Sequence, residues 1–273
     1  MANTLPEAQA LQQSRAAMDA NLQHSPFKRP LLLSSQEAGD MLHGDLYASL
    51  DASLGALAPL AGSAERWCEI LLLLSNAKAC QVVPGSQPAR LQLRISSSKT
   101  ADSSGASETE FNLSTNTAEP DWVTATLRAA DGPTGTRDIQ LQLQAIPQPG
   151  GHSFIHLHYG YTTQWLGRVA MQGYLQTLGR GKTGFTQVPD GDHSVAIGGV
   201  RGVIERNTMR YFLGLECALQ HANQAEPQRF GQMAACWWGA VEQYPQTLHE
   251  MGREEYLAMK RLQYQPPVAA ARP

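Results

Sequence analysis

Charge is scarce in this sequence: Asp, Glu, Lys and Arg together make up 16% of 273 residues, with a formal net charge of −3. Nucleic-acid binding needs a basic face, so no nucleic-acid partner is expected. Gln, Ser, Thr and Gly fill the place of charge, which is not the composition of a chain held open by self-repulsion. Long apolar runs are also missing. The most compact one, Ile70–Leu74, falls far short of the roughly 20 residues that cross a bilayer, so no transmembrane segment is expected. The opening stretch MANTLPEAQALQQSRAAMDANLQ has neither a basic n-region nor an apolar h-region. As written, nothing directs export, although a sequence that starts behind a removed signal peptide reads the same way.

Reaction-specifying motifs are absent too. The four cysteines, Cys68, Cys80, Cys217 and Cys236, form no Cys-x-x-Cys pair, which argues against a structural zinc site or a thioredoxin-type redox site. Spacing suggests Cys68 with Cys80 and Cys217 with Cys236, the second pair flanking Glu226-Pro227 as residues across a helical hairpin would. Oxidised pairs would mean an oxidising compartment, whereas four buried thiols would suit a cytosolic protein; both readings stand open. Gly181-Lys182-Thr183 ends like a phosphate-binding loop, but the required earlier glycine is Gln176 and a helical stretch precedes it, so it reads as a helix C-cap. His249-Glu250 has Arg253 where a zincin needs its second histidine. No Gly-x-Ser-x-Gly elbow occurs, and Asp192-His193-Ser194 reads as a turn. Asn112-Leu113-Ser114 fits a glycosylation sequon inside a predicted strand. His152, His156 and His158 share one side of a strand, and His-x-His can chelate zinc. The opposite side carries Ile155, Leu157, Tyr159 and Tyr161, the face a core would claim, so the histidines are expected to face solvent. No metal site and no cofactor are assigned, and the catalytic residues are left unknown.

What is present is periodicity. Residues 1–24 read as a polar helix with Leu11, Met18 and Leu22 on its sparse apolar face, ended by Pro26 and Pro30. An extended segment follows, then a first strand over His43–Leu50. Asp51 and Ser53 are N-cap candidates for a stretch that Pro59 and Gly62 divide into two short helices. Alternation then marks strands at Arg90–Ser96, around Phe111 and Leu113, and at Trp122–Ala130, Asp138–Ile146 and Phe154–Tyr161. Such even spacing predicts an antiparallel meander, apolar on one face and wet on the other. A helix is expected over WLGRVAMQGYLQTLG, a hairpin around Pro189-Asp190-Gly191, and three helices over 205–221, 228–244 and 246–264. GGVRGVIERNTMRYFLGLE (198–216) gathers three glycines with Arg201, Glu205, Arg206 and Arg210. It reads either as an arginine-lined mouth for an anionic ligand group or, the better of the two, as an ion-pair network tying the helices to the sheet.

The order of strand, two short helices, meander and long helix over about 41–179 resembles the START-like (helix-grip) superfamily. RWCEILLLLSNAKAC, DGPTGTRD, AMQGYLQTLGRGKTGFT and GGVRGVIERNTMRYFL are similar to strings of an uncharacterised, often exported, proteobacterial family, in which Cys68 and Cys80 would be paired. The resemblance implies an α+β fold: a helix-grip antiparallel sheet with a long helix, plus a C-terminal helical extension. Its expected divisions are 1–35 (helix and extended segment), 36–200 (core), 201–265 (helical extension) and 266–273 (disordered tail). It implies a cavity between sheet and helix for a lipid-like ligand. Trp67, Tyr159, Tyr161 and Trp165 are candidate walls, and Arg201 or Arg206 a polar anchor. An enzyme using the same cavity, with Asp138, Glu205 or Tyr161 as acid or base, and a non-catalytic envelope interaction protein are the alternatives. The same resemblance points to a periplasmic or secreted home if a signal peptide has been removed, and to the cytoplasm otherwise.

Overall fold

A computed structural model describes residues 4–96, 104–119, 121–163, 182–226 and 228–265. The polar N-terminal stretch forms helix α1 (Thr4–Gln23). The extended segment behind it is itself a strand: β1 (Leu31–Ala38) pairs antiparallel with β2 (Met41–Leu50), turning at Gly39, whose φ of 62° suits glycine. The sequence reading had made β2 the first strand.

Two short helices follow, α2 (Leu54–Ala61) and α3 (Ala64–Leu72). Each starts on a serine whose side-chain oxygen accepts from a free backbone N–H, Ser53 from Ala56 and Ser63 from Arg66, both at 3.2 Å. The break falls at Gly62-Ser63, and Pro59 lies inside α2. A strand the sequence reading missed, β3 (Ala77–Val83), comes next, followed by β4 (Arg90–Ile95), β5 (Ser107–Glu119), β6 (Trp122–Asp131), β7 (Thr136–Gln148) and β8 (His152–Thr163). β5 is 13 residues long, where Phe111 and Leu113 alone had suggested a short strand.

These strands make one eight-stranded antiparallel sheet in the order β1-β2-β8-β7-β6-β5-β4-β3. The expected hairpin is present as β9 (Gln187–Asp190) and β10 (His193–Ala196). The C-terminal part is helical: α4 (Gly199–Gln220), α5 (Gln228–Val241), α6 (Pro245–Leu248) and α7 (Arg253–Gln263). The helix expected over 165–179 and the tail after 265 lie outside the described residues.

Among the described helices, α4 packs across β1, β2 and β8, α2 across β5, β6 and β7, and α3 across β3 and β4. One apolar cluster joins this face of the sheet to all of them, with Leu46, Leu127, Leu143, Ile155, Phe212 and Ile70 among its members. The close approach of α4 depends on Gly44 of β2, where a Cβ would stand 2.5 Å from Thr208 Oγ1. The opposite, outer face bears a smaller cluster in which Leu11 and Leu22 of α1 cover Trp122, Ile146 and Phe154. Both cysteine pairs are bonded: Cys68–Cys80 ties α3 to β3, and Cys217–Cys236 ties α4 to α5.

Candidate functional site

β8 presents its two faces to two different settings. On the inner face, Leu157 and Tyr161 are buried at 1% and 5% exposure, while Tyr159 between them remains half-buried. Tyr159 meets Tyr161 at 5.8 Å and Tyr211 of α4 at 5.0 Å between ring centroids, the latter edge-on. Tyr211 belongs to a stripe of α4, Val203, Asn207 and Tyr211, that recurs every four residues and is likewise half-buried. Tyr159 and Tyr211 thus form a half-buried aromatic pair where α4 crosses β8.

The polar character of this pair comes from phenols. The Tyr159 and Tyr211 hydroxyls lie close enough to influence each other's titration. Burial, reinforced by Tyr211 and Tyr161, pushes the Tyr159 hydroxyl well above its ordinary value. Burial first, and Tyr211 after it, pushes Tyr161 up to about 12. Burial also pushes Tyr211 up to about 12. At neutral pH all three stay protonated and act as hydrogen-bond donors, not bases.

The other residues singled out in the sequence sit elsewhere. Trp67 is a packed core residue, 1% exposed, its indole N–H donating to Ala61 O at 3.0 Å. Arg201 donates to the Ser35 carbonyl at 2.6 Å and to its hydroxyl at 3.2 Å. Arg206, 2% exposed, donates to the Thr183 carbonyl. Glu205 is fully buried and accepts from Ser35 Oγ and from the N–H groups of Phe185 and Thr186, at 2.7, 2.6 and 2.9 Å. Gly184 makes that approach possible, since a Cβ there would lie 2.5 Å from Glu205 Oε2. This part of 198–216 therefore anchors α4 to β1 and to the chain before β9. Asp138 is exposed and accepts from Thr162 Oγ1 at 3.0 Å. Both carboxylates considered for catalysis bond to groups other than the Tyr159–Tyr211 pair, and Trp165 lies outside the described residues. Tyr211 was missed, although its four-residue spacing from Asn207 and Val203 was available in the sequence.

On the outer face, His156 and His158 of β8 do turn away from the core, and β2 supplies what the sequence reading did not foresee. Asp45 is the register partner of His158, Tyr47 of His156, and His43 of Gly160. His156 Nε2 and His158 Nδ1 both approach Asp45 Oδ1, at 2.7 and 2.9 Å, and His43 Nε2 stands 3.5 Å from Asp45 Oδ2. Burial alone would raise the Asp45 carboxyl, but the hydrogen bonds and charge of His156 and His158 outweigh it and hold it well below the usual carboxylate range. His152 stands apart, beside Asp51 at 3.3 Å. A separate polar cleft of about 410 Å³ opens between α1 and the loop before β1, lined by Arg15, Asp19, Lys28 and Arg29 among others.

The chain is thus an α+β protein built on an eight-stranded antiparallel sheet, with a long helix and C-terminal helices packed on it. Solved structures similar to the chain include an aromatase/cyclase, a lipid transfer protein and a synthase. The Zhui aromatase/cyclase from Streptomyces sp. R1128 is 9% identical, with 68% of this chain and 98% of that chain covered, at a TM-score of 0.46. Human StAR-related lipid transfer protein 5 is 9% identical over 80% of this chain and 100% of its own, at 0.38. A Thalictrum flavum norcoclaurine synthase mutant is 10% identical over 53% and 91%, also at 0.38. No protein-family model matches the chain, and no curated protein does.

Proposed function

We propose that this chain binds a hydrophobic, lipid-like small molecule beside α4, with the phenol hydroxyls of Tyr159 and Tyr211 as its polar contacts. The observation that carries this reading is the half-buried Tyr159–Tyr211 pair where α4 crosses β8 on the inner face of the sheet. Aromatic rings with a donor at the tip suit a ligand that is mostly apolar and bears one or two acceptors. In this reading Trp67 supports the core, Arg201 and Arg206 hold α4 in place, and Tyr161 backs Tyr159. Binding without a reaction is favoured because the Tyr159–Tyr211 pair offers protonated phenols, and Glu37, the carboxylate that acts on Tyr161, is exposed on β1. The two disulfides favour an oxidising compartment such as the periplasm or the cell exterior.

Titration with a dansyl-labelled fatty acid tests the reading. Saturable one-to-one binding is expected, weakened at least about tenfold by Val203→Arg, which sets a charge on the Tyr211 stripe of α4 without removing a buried side chain. Tyr159→Phe should weaken it less. Failure of the natural chain to saturate, or equal binding by Val203→Arg, overturns the proposal.

A further inference from the structure

We propose that Asp45, His156 and His158 form a binding site for a divalent first-row metal ion of the zinc class on the outer face of the sheet, with His43 as a positioning residue. The register explains how the site is built. Side chains two apart on a strand share a face, and β2 and β8 lie side by side, so one carboxylate and three imidazoles fall on one patch.

Three features point to a cation. First, the ligand atoms of Asp45, His156 and His158 all lie within 4.8 Å of one another. Zinc bonds of about 2.0–2.2 Å arranged tetrahedrally set ligand atoms roughly 3.3 Å apart, so small side-chain rotations suffice. Second, three imidazole nitrogens converge on one carboxylate, so a metal ion at their centre would be met by an anionic oxygen and imidazole lone pairs. His43 adds a buried Nδ1 with no hydrogen-bond partner. Third, the surroundings orient the rings. His156 Nδ1 is 3.1 Å from Gln144 Oε1, which directs Nε2 towards Asp45, and the Tyr47 ring stacks on His156 at 4.3 Å, 4° from parallel. Such an outer partner on the second ring nitrogen fixes the tautomer of a metal-bound histidine.

Space is kept as well. Gly160 lies opposite His43, and a Cβ there would stand 3.0 Å from His43 Cβ and 3.2 Å from His158 Nε2. The four side chains are 17–25% exposed, sheltered from bulk water yet open to an ion from solution. Two imidazoles and a carboxylate suit zinc, cobalt or nickel better than the oxygen-seeking magnesium or calcium, and leave a fourth position to solvent.

Metal-free protein, without a polyhistidine tag, should be titrated with ZnCl2 by calorimetry and with CoCl2 by absorbance near neutral pH. A single saturable site with a cobalt d–d band is expected. His156→Gln and His158→Gln should each weaken it at least about tenfold, His43→Gln less, and His152→Gln not at all. No saturable uptake by the natural chain, or unchanged affinity in His156→Gln, overturns the proposal. Should a variant fail to fold, imidazole NMR of the natural chain decides. Zinc-induced shifts at His156 and His158 support the site, and shifts confined to other histidines refute it.

Discussion

The two faces of the central sheet are built from the same strands and follow different rules. Along β7 the inner residues are Ile139, Leu141, Leu143 and Ala145, all buried, and the outer ones are Gln140, Gln142 and Gln144, then Ile146. The inner face is covered along its width by α2, α3 and α4 and is mostly apolar where they touch it, with Ser35 under Arg201 and Glu205 as a polar exception. The outer face changes character along its length. Under α1 it is dry and aromatic, and away from α1 it turns to glutamine, threonine and histidine. Alternation thus assigns a residue to a face, but the element that lands on that face decides whether its partners are hydrocarbon, water or another polar group.

The largest effect should come from the inner face. Leu143→Ala removes a side chain with 0% exposure, and a loss of about 2–5 kcal/mol is expected in denaturant titration. A loss well under 1 kcal/mol would mean the interior is looser than its burial indicates. Leu11→Ala, on the dry end of the outer face, should cost about 2 kcal/mol, since the cavity opens in a small cluster that can relax. No loss there would show that α1 does not rest on Trp122 and Phe154. Gly44→Ala should cost about 1–2 kcal/mol, because the added methyl meets Thr208 Oγ1, which is engaged with Ile204 O at 2.9 Å. A neutral result would show that α4 has room to move off β2.

Much of this contrast could be read from the sequence, and its limits have physical causes. Strong alternation located β4, β6, β7 and β8, and the pairing of Cys68 with Cys80 and Cys217 with Cys236 followed from spacing. The segment Ala77–Val83 shows no alternation of buried and exposed residues, and its membership of the sheet comes from pairing with β4. β1 was hidden by Pro26 and Pro30 and by an unbroken run of three leucines, which serves an edge strand as well as a loop. The histidines were placed on the right face, but a cluster needs a register. Whether His43 and Asp45 meet His156 and His158 depends on how β2 slides along β8, and a shift of one residue would send them to the core. The tyrosine pair failed to emerge for a related reason, since Tyr159 and Tyr211 are brought together only by the docking of α4.

The smallest expected change in stability tests whether the two faces differ in purpose as well as in polarity. Gln144 is the outer neighbour of Leu143 on the same strand, half-buried, with its side chain on His156 Nδ1. Gln144→Ala leaves the inner packing untouched, so its effect on unfolding should stay within about 0.5 kcal/mol. It frees the His156 ring to turn, however, and if the outer cluster holds a metal ion, zinc affinity should fall by about tenfold. Leu143→Ala, read in the same two measurements, should give the reverse: a large loss of stability with zinc affinity nearly unchanged while the chain remains folded. If both substitutions moved both quantities together, the outer cluster would be one more part of the scaffold, and the division between a face that holds the fold and a face that presents a site would collapse.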